Sequence, residues 1–227
     1  MHIEDGILSP QACAAWYGVT AVFIIPGIRE IKRRVADNLS YKPFLAMAGV
    51  AVFVISAMHL PVPVSGSCSH PVGTPLAAIV VGPFATVVIS TIVLFFQAIL
   101  LGHGGITTIG ANTFSMGIVG AFAGYFCWKL IRAVKGPLWL AAGVAGFIGD
   151  VATYLTSSFE LALSLHGHVP LLQQWLIFFL GYGPTQLPLA IAEAVFTAAV
   201  LRVMVNRRPD LLPGVITNSK AKREAAK

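Results

Sequence analysis

The stretch GTPLAAIVVGPFATVVISTIVLFFQAILL, residues 73–101, decides how the chain crosses a membrane. It suits either one long tilted helix, or a short helix and a full one separated at Gly82-Pro83. It lies within residues 43–128, where no Asp, Glu, Lys or Arg occurs. The whole chain is 56% hydrophobic and only 11% charged, which predicts a polytopic membrane protein rather than a water-soluble domain.

Charge chooses between the two interpretations. The 15 Lys and Arg residues fall in three clusters, at residues 29–42, 129–135 and 202–227, and therefore form no continuous basic face for nucleic acid. Such clusters are typical of cytoplasmic loops. A single span over 73–101 would leave the second cluster outside, whereas a hairpin places all three inside. We therefore predict a hairpin, with residues 73–81 a short or partial span packed within protein rather than lipid.

Apolar length places the other spans. We expect them at residues 10–28, 44–60, 113–130, 137–158 and 173–205, the last one bent at GYGP and Pro188. The prediction is an all-α integral membrane bundle of about seven helical segments, with the N-terminus outside and the C-terminus cytoplasmic. Residues 1–206 would form the membrane domain, and residues 207–227 a basic cytoplasmic tail.

The histidines are segregated in this topology. All of them fall on or near the outer side, opposite every Lys and Arg: His2, His59, His70, His103, His166 and His168. Histidine is the commonest metal ligand in proteins, so the segregation favours an outward-facing metal site.

The opening residues MHIEDG can chelate a metal. The Met1 amine and the His2 amide nitrogen close a five-membered ring on an ion, and the His2 amide and Nδ1 close a six-membered ring. Three nitrogens are thereby held in one plane. A fourth nitrogen from a nearby histidine would complete a square-planar site, the geometry of Ni(II) or Cu(II) and one possible for low-spin Co(II).

His70, in the loop motif GSCSHPVGT, is the best candidate for that fourth ligand. Cys68 could offer a thiolate, although a small buried residue is the commoner role. His103, in GHGGITTIGANTF, could be a ligand or a helix cap, but we expect it to support the ligands, together with Asn112 and Thr113.

Other polar residues have less specific roles. His166 and His168 could form a weak capture site but are expected to be solvated, and His59 to be interfacial. Asp150 and Glu193 lie inside predicted spans, where they could relay protons, bind a coupling ion or tie helices together. We favour hydrogen-bonded ties, because no intramembrane Lys or Arg matches them.

Sequence motifs for catalysis are missing. The chain contains no HExxH, GxSxG or P-loop pattern, so we expect neither an enzyme nor an ATP-driven pump in itself. Uphill movement of a metal would need a separate ATPase.

Five motifs together resemble the CbiM/NikM family, the substrate-binding components of energy-coupling factor transporters for cobalt and nickel. They are MHIEDGILSP, GSCSHPVGT, GHGGITTIGANTFSMGIVG, GDVATYLTSSFELAL and GYGPTQLPLAIAEA, and the similarity runs from Met1 to about Arg202. The resemblance implies a prokaryotic cell-membrane protein that binds Co(II) or Ni(II) through the Met1 amine, the His2 amide and ring nitrogens, and His70.

The resemblance also implies partners. These are a transmembrane coupling subunit similar to CbiQ, an ATPase similar to CbiO and a small accessory subunit similar to CbiN, with toppling of the binding component in the bilayer. Cobalt is slightly favoured by GSCSHP and PLAIAEA, and a nickel-preferring homologue is the alternative. A metal-dependent membrane enzyme and an autonomous channel or carrier are the rival hypotheses of other classes.

Overall fold

The computed structural model describes residues 2–58, 60–62 and 67–212. Within these ranges the chain forms a bundle of seven helices. They are α1 (Pro10–Asp37), α2 (Tyr41–Ala57), α3 (Thr74–Val81), α4 (Pro83–Leu101), α5 (Ile109–Ala133), α6 (Leu138–Leu165) and α7 (Leu171–Arg207). Five of them, α1, α4, α5, α6 and α7, are long and apolar enough to cross a membrane. The predicted all-α membrane fold is confirmed.

The hairpin at residues 73–101 forms as predicted. The glycine between α3 and α4, Gly82, has φ +93°, which an L side chain rarely adopts, and Pro83 begins α4. At 1.5 Å per residue the 8 residues of α3 rise about 12 Å, far less than a bilayer core of about 30 Å. All but one of its residues are buried, so α3 is packed within the protein.

The helix bounds differ from the predicted spans by several residues, most of all at the ends of α1 and α6. Helix α1 continues beyond residue 28 through the basic cluster to Asp37, because charged side chains on an exposed helix need no apolar surroundings. Helix α7 is continuous through Pro184 and Pro188, and the bend expected there stays a prediction. Each proline removes one backbone hydrogen bond, which a 37-residue helix packed along α6 tolerates.

A short β-ribbon replaces part of the predicted outer loop. Strand β1 (Leu60–Val62) pairs antiparallel with β2 (Ser67–Ser69), with Leu60 opposite Ser69. His70 follows directly after β2 and lies a few residues before the start of α3.

Basic residues of the first two clusters lie together at one end of the bundle. A cavity of about 900 Å³ lies there, with Arg34 of α1, Lys129 and Arg132 of α5, and Asp210 beyond α7 among its lining residues. Which end faces the cytoplasm stays a prediction, as does the division of the chain at residue 206. The basic tail from residue 213 onward lies outside the described residues.

Candidate metal centre

The segment before α1 is bound to the start of α5. The backbone N–H of Ile3 donates to Asn112 Oδ1 at 2.8 Å, and Asn112 Nδ2 donates to the Ile3 carbonyl at 3.1 Å. The Thr108 hydroxyl donates to the same carbonyl at 2.5 Å. His2 and Ile3 are buried, so the first residues of the segment are inserted into the bundle, whereas residues 4–6 lie on its surface.

Asp5 fastens the other side of the segment to the loop between α4 and α5. Its carboxylate accepts hydrogen bonds from the Thr107 hydroxyl and from the backbone N–H groups of Ile106 and Thr107. The Thr107 hydroxyl is the main reason why the pKa of Asp5 lies below its ordinary value. Gly105 makes the contact possible, because a Cβ there would collide with the Asp5 carboxylate.

The loop that carries His70 is held from two helices. Tyr154 of α6 accepts a hydrogen bond from the His70 backbone N–H at 2.8 Å and donates one to the His70 carbonyl at 3.1 Å. Glu193 of α7 accepts from the N–H groups of Val72 at 2.6 Å and Gly73 at 2.8 Å. The backbone on both sides of the His70 ring is therefore fixed.

The His2 and His70 side chains meet inside the bundle. His70 Nδ1 lies 2.8 Å from the Pro71 carbonyl, which can only accept, so this nitrogen carries the proton. His70 Nε2 therefore has its lone pair directed at His2 Nδ1, 2.8 Å away. Burial lowers the pKa of His2 well below its ordinary value, and His70 and His103 lower it further. A neutral imidazole is the form that binds a metal.

His103 and Cys68 complete a compact group. The His103 ring lies edge-on to His2, with ring centroids 4.3 Å apart, and its Nε2 is 3.4 Å from Cys68 Sγ. One potential ligand atom from each of His2, Cys68, His70 and His103 lies within 4.8 Å of the others. Three of these residues are buried and Cys68 is partly exposed, so the group lies just inside the protein surface.

The remaining residues suggested by the sequence are distributed differently. Met1 and His59 lie outside the described residues. Thr113 is buried, but its hydroxyl has no hydrogen-bond partner within the described part of the chain. His166 and His168 lie in the turn after α6, partly or fully exposed.

The two intramembrane carboxylates make contacts between elements. Gln186 Nε2 of α7 lies 2.8 Å and 2.6 Å from the two carboxylate oxygens of Asp150 on α6. Glu193 joins α7 to the backbone at residues 72–73. Both carboxylates therefore contact another element, and the role of hydrogen-bonded ties that the sequence favours stays a prediction.

Sequence reasoning missed two buried polar residues of α6, of which Tyr154 contacts the loop that carries His70. Tyr154 sits in the quoted motif GDVATYLTSSFELAL, but nothing in a single sequence shows that its hydroxyl reaches a loop 84 positions away. Glu160 lies beyond the predicted end of its span, yet it is fully buried, and neither carboxylate oxygen has a hydrogen-bond partner among the described residues. An acidic residue near an apolar span end was the available signal.

Comparison with known proteins gives consistent matches. Residues 2–211 match a family described as CbiM, cobalt uptake substrate-specific transmembrane region. The "Cobalt transport protein CbiM" of Sorangium cellulosum is 43% identical over 93% of this chain and 94% of its own length. That of Geobacter sulfurreducens is 44% identical over 93% of this chain, but the match spans only 61% of that longer protein.

Solved structures agree with the sequence matches. A crystal structure described as a truncated transition metal transporter is 30% identical, with a TM-score of 0.76 over 90% of this chain and 98% of its own. A second transition metal transporter is 29% identical, with a TM-score of 0.77 over 93% of this chain.

Proposed function

Because the chain belongs to the CbiM family of cobalt-uptake substrate-specific transmembrane proteins, we propose that it binds Co(II) or Ni(II) in the pocket around His2 and His70. It is a multi-pass prokaryotic membrane protein whose relatives are named as transport proteins. The ion is the transported substrate, and the chain is the substrate-specific component of an energy-coupling factor transporter.

The 2.8 Å separation of His2 Nδ1 and His70 Nε2 carries the proposal. In a square plane with metal–nitrogen bonds of about 2.0 Å, neighbouring donors lie about 2.8 Å apart. The two imidazoles are thus already spaced as adjacent corners of such a plane. The Met1 amine and the His2 amide nitrogen would supply the other two corners, with the amide proton released on binding.

The hydrogen bonds around the pocket support this ligand set. Asn112 and Asp5 hold the segment that carries His2, and Tyr154 and Glu193 hold the loop that carries His70. The two ligand-bearing segments are far apart in the chain, so their positions depend on these contacts. Groups that orient metal ligands typically change affinity about 10–100-fold when removed.

Cobalt is the substrate we favour, because the matched family and the curated relatives are named for cobalt. Nickel is the alternative, since square-planar nitrogen donors accept Ni(II) readily under the divalent affinity order. Direct competition between the two ions on the purified protein would rank them.

Transport would require partners, because the sequence contains no nucleotide-binding motif. We propose a transmembrane coupling subunit similar to CbiQ, an ATPase similar to CbiO and a small accessory subunit similar to CbiN. With these partners, liposomes should show ATP-dependent accumulation of the ion. Sustained ion flux through this chain alone would instead favour an autonomous channel or carrier, and turnover of a lipid or peptide would favour a membrane enzyme.

The test of the site is a titration of Co(II) and Ni(II) on the purified chain with Met1 as its first residue. The comparison is the same chain with one residue added before Met1. The extension puts an amide where the free amine stood and moves the amine one residue back, so the new N-terminus offers an amine, two amides and the His2 imidazole, which are four nitrogens of its own. We therefore expect the planar ligand-field absorption to shift in the extended chain and to become independent of His70. In the chain that starts at Met1, His70→Ala should lower the affinity more than about 100-fold, and the matched control His166→Ala should bind metal normally. An unchanged spectrum in the extended chain would disprove the N-terminal site.

A further inference from the structure

We propose that the same pocket has a second, tetrahedral binding mode for Zn(II), in which the Cys68 thiolate and the imidazoles of His2, His70 and His103 are the ligands. This mode does not need the N-terminal amine. Its consequence for uptake rests on the proposed function, because zinc held in this way would compete with the transported ion for His2 and His70.

The first argument is the set of atoms that face one another. Ligand atoms of Cys68, His2, His70 and His103 all lie within 4.8 Å of one another. Two contacts within the set are close, 2.8 Å between His2 and His70 and 3.4 Å between Cys68 and His103. Donors around a tetrahedral zinc lie about 3.3–3.6 Å apart, given bonds of about 2.0 Å to nitrogen and 2.3 Å to sulfur. The distances between ligand atoms, from 2.8 Å to at most 4.8 Å, lie on both sides of these values. Small rotations of the side chains would therefore bring all of these atoms to zinc-binding distance.

The second argument is the chemistry of the donors. Thiolate and imidazole are both ligands that zinc binds, and zinc, which has no geometric preference from its d electrons, accepts a tetrahedron of them. Ni(II) favours a plane of nitrogens, and thiolate ligands shift preference toward softer ions. The planar and tetrahedral sets share two histidines, so the identity of the ion selects the geometry.

The third argument is access. His103 is 8% exposed and Cys68 is partly exposed, whereas His2 and His70 are 1% and 0% exposed. An ion entering from outside the protein would therefore meet the thiol and His103 before it reaches the deeper pair. The Nδ1 of His70 already donates to the Pro71 carbonyl, so the ring would bind zinc through Nε2 without a change of tautomer.

Two orthogonal changes test the proposal, with Co(II) as a spectroscopic substitute for zinc. In the chain extended by one residue before Met1, we expect zinc affinity within about 3-fold of the native value, because no ligand of this mode is altered. Co(II) bound to that chain should show thiolate-to-cobalt charge transfer and the strong ligand-field bands of a tetrahedral site. Cys68→Ala should abolish the charge transfer and weaken zinc binding at least 10-fold.

The matched control is Cys127→Ala, which removes a thiol from α5 that belongs to no cluster of potential metal ligands within residues 2–58, 60–62 and 67–212. It should retain the charge transfer and the zinc affinity. Absence of charge transfer in the native and extended chains, whose folding is not at issue, would overturn the proposal. So would normal zinc affinity in Cys68→Ala. If the charge-transfer band of Co(II) persists in the extended chain and the Ni(II) spectrum of that chain is also unchanged, the planar site is disproved and the tetrahedral site is retained.

Discussion

The hydroxyl of Tyr154 contacts both backbone polar groups of His70, accepting from the N–H at 2.8 Å and donating to the carbonyl at 3.1 Å. A side chain of α6 thereby forms hydrogen bonds with both backbone polar groups of a loop residue that is 0% exposed and out of reach of water. The loop backbone is kept in one position even though it belongs to no helix or sheet at that point.

We therefore expect Tyr154→Phe to weaken metal binding about 10-fold or more, since the His70 backbone loses its partner while the ring remains. Leaving buried polar groups unsatisfied should also lower the free energy of unfolding by about 1–3 kcal/mol. Metal titration and thermal unfolding measure the two effects. Tyr125→Phe, at the basic end of the bundle, is the matched control and should change neither. Unaltered binding in Tyr154→Phe would show that the loop is positioned by other contacts.

Glu193 allows a graded test of the same loop. Its two oxygens accept from two successive backbone N–H groups, those of Val72 and Gly73. Glu193→Gln keeps one acceptor and Glu193→Leu keeps none, so the loss of metal affinity should increase from the first variant to the second. Isothermal titration of both proteins gives the order. Equal affinities for the native protein and the Leu variant would contradict it.

The helical bundle could be predicted from the sequence because membrane-spanning helices depend on features of neighbouring residues. Apolar length and the positions of Lys and Arg are properties of neighbouring residues, and they are enough to place the hairpin break at Gly82 and the buried short helix α3. The continuity of α7 through Pro184 and Pro188 was not predictable, because it depends on packing along α6.

The site could be predicted only in part, because some of its contacts depend on packing between segments that are distant in the sequence. His2 and His70 were recognisable by chelate geometry and by resemblance, without knowledge of the fold. The close contact of His103 with Cys68 and the contact of Tyr154 with His70 depend on the packing of distant segments. No spacing in the sequence shows them.

Asp5 should make the stability of the N-terminal segment depend on pH. Hydrogen bonds, chiefly from the Thr107 hydroxyl, hold the pKa of Asp5 below its ordinary value of 3.8. The folded state therefore favours the carboxylate, and this contribution is present above pH 3.8 and is lost as the pH falls through the lower folded value. Asp5→Asn should lower the melting temperature at pH 7, and the difference from the native protein should shrink in acid.

Glu4→Gln is the matched control for Asp5, because it removes the same charge from an exposed neighbouring side chain. It should melt like the native protein throughout. A difference between Asp5→Asn and the native protein that stays constant from neutral to acid pH would contradict the role of the Asp5 carboxylate.

Glu160 differs from Asp5, because its carboxyl group is buried and neither oxygen has a hydrogen-bond partner among the described residues. A buried polar group that is not hydrogen-bonded is destabilising by about 1–3 kcal/mol. Glu160→Leu, of similar size but apolar, should therefore raise the melting temperature or leave it unchanged. A marked fall in melting temperature, or a loss of metal binding, would contradict this expectation and show that the Glu160 carboxyl group makes a stabilising contact, for which the buried Ser115 hydroxyl is one candidate.

Asn112 and Thr113 are adjacent residues that the sequence proposed for the same supporting role, and the structure separates them. Asn112 makes two hydrogen bonds to Ile3, at 2.8 Å and 3.1 Å, whereas the Thr113 hydroxyl has no partner among the described residues. Asn112→Leu should release the segment that carries His2 and reduce metal affinity about 10–100-fold. Thr113→Val, which removes only a hydroxyl, should bind metal as the native protein does. Equal losses in both variants would show that affinity depends on the start of α5 as a whole rather than on the Asn112–Ile3 contact.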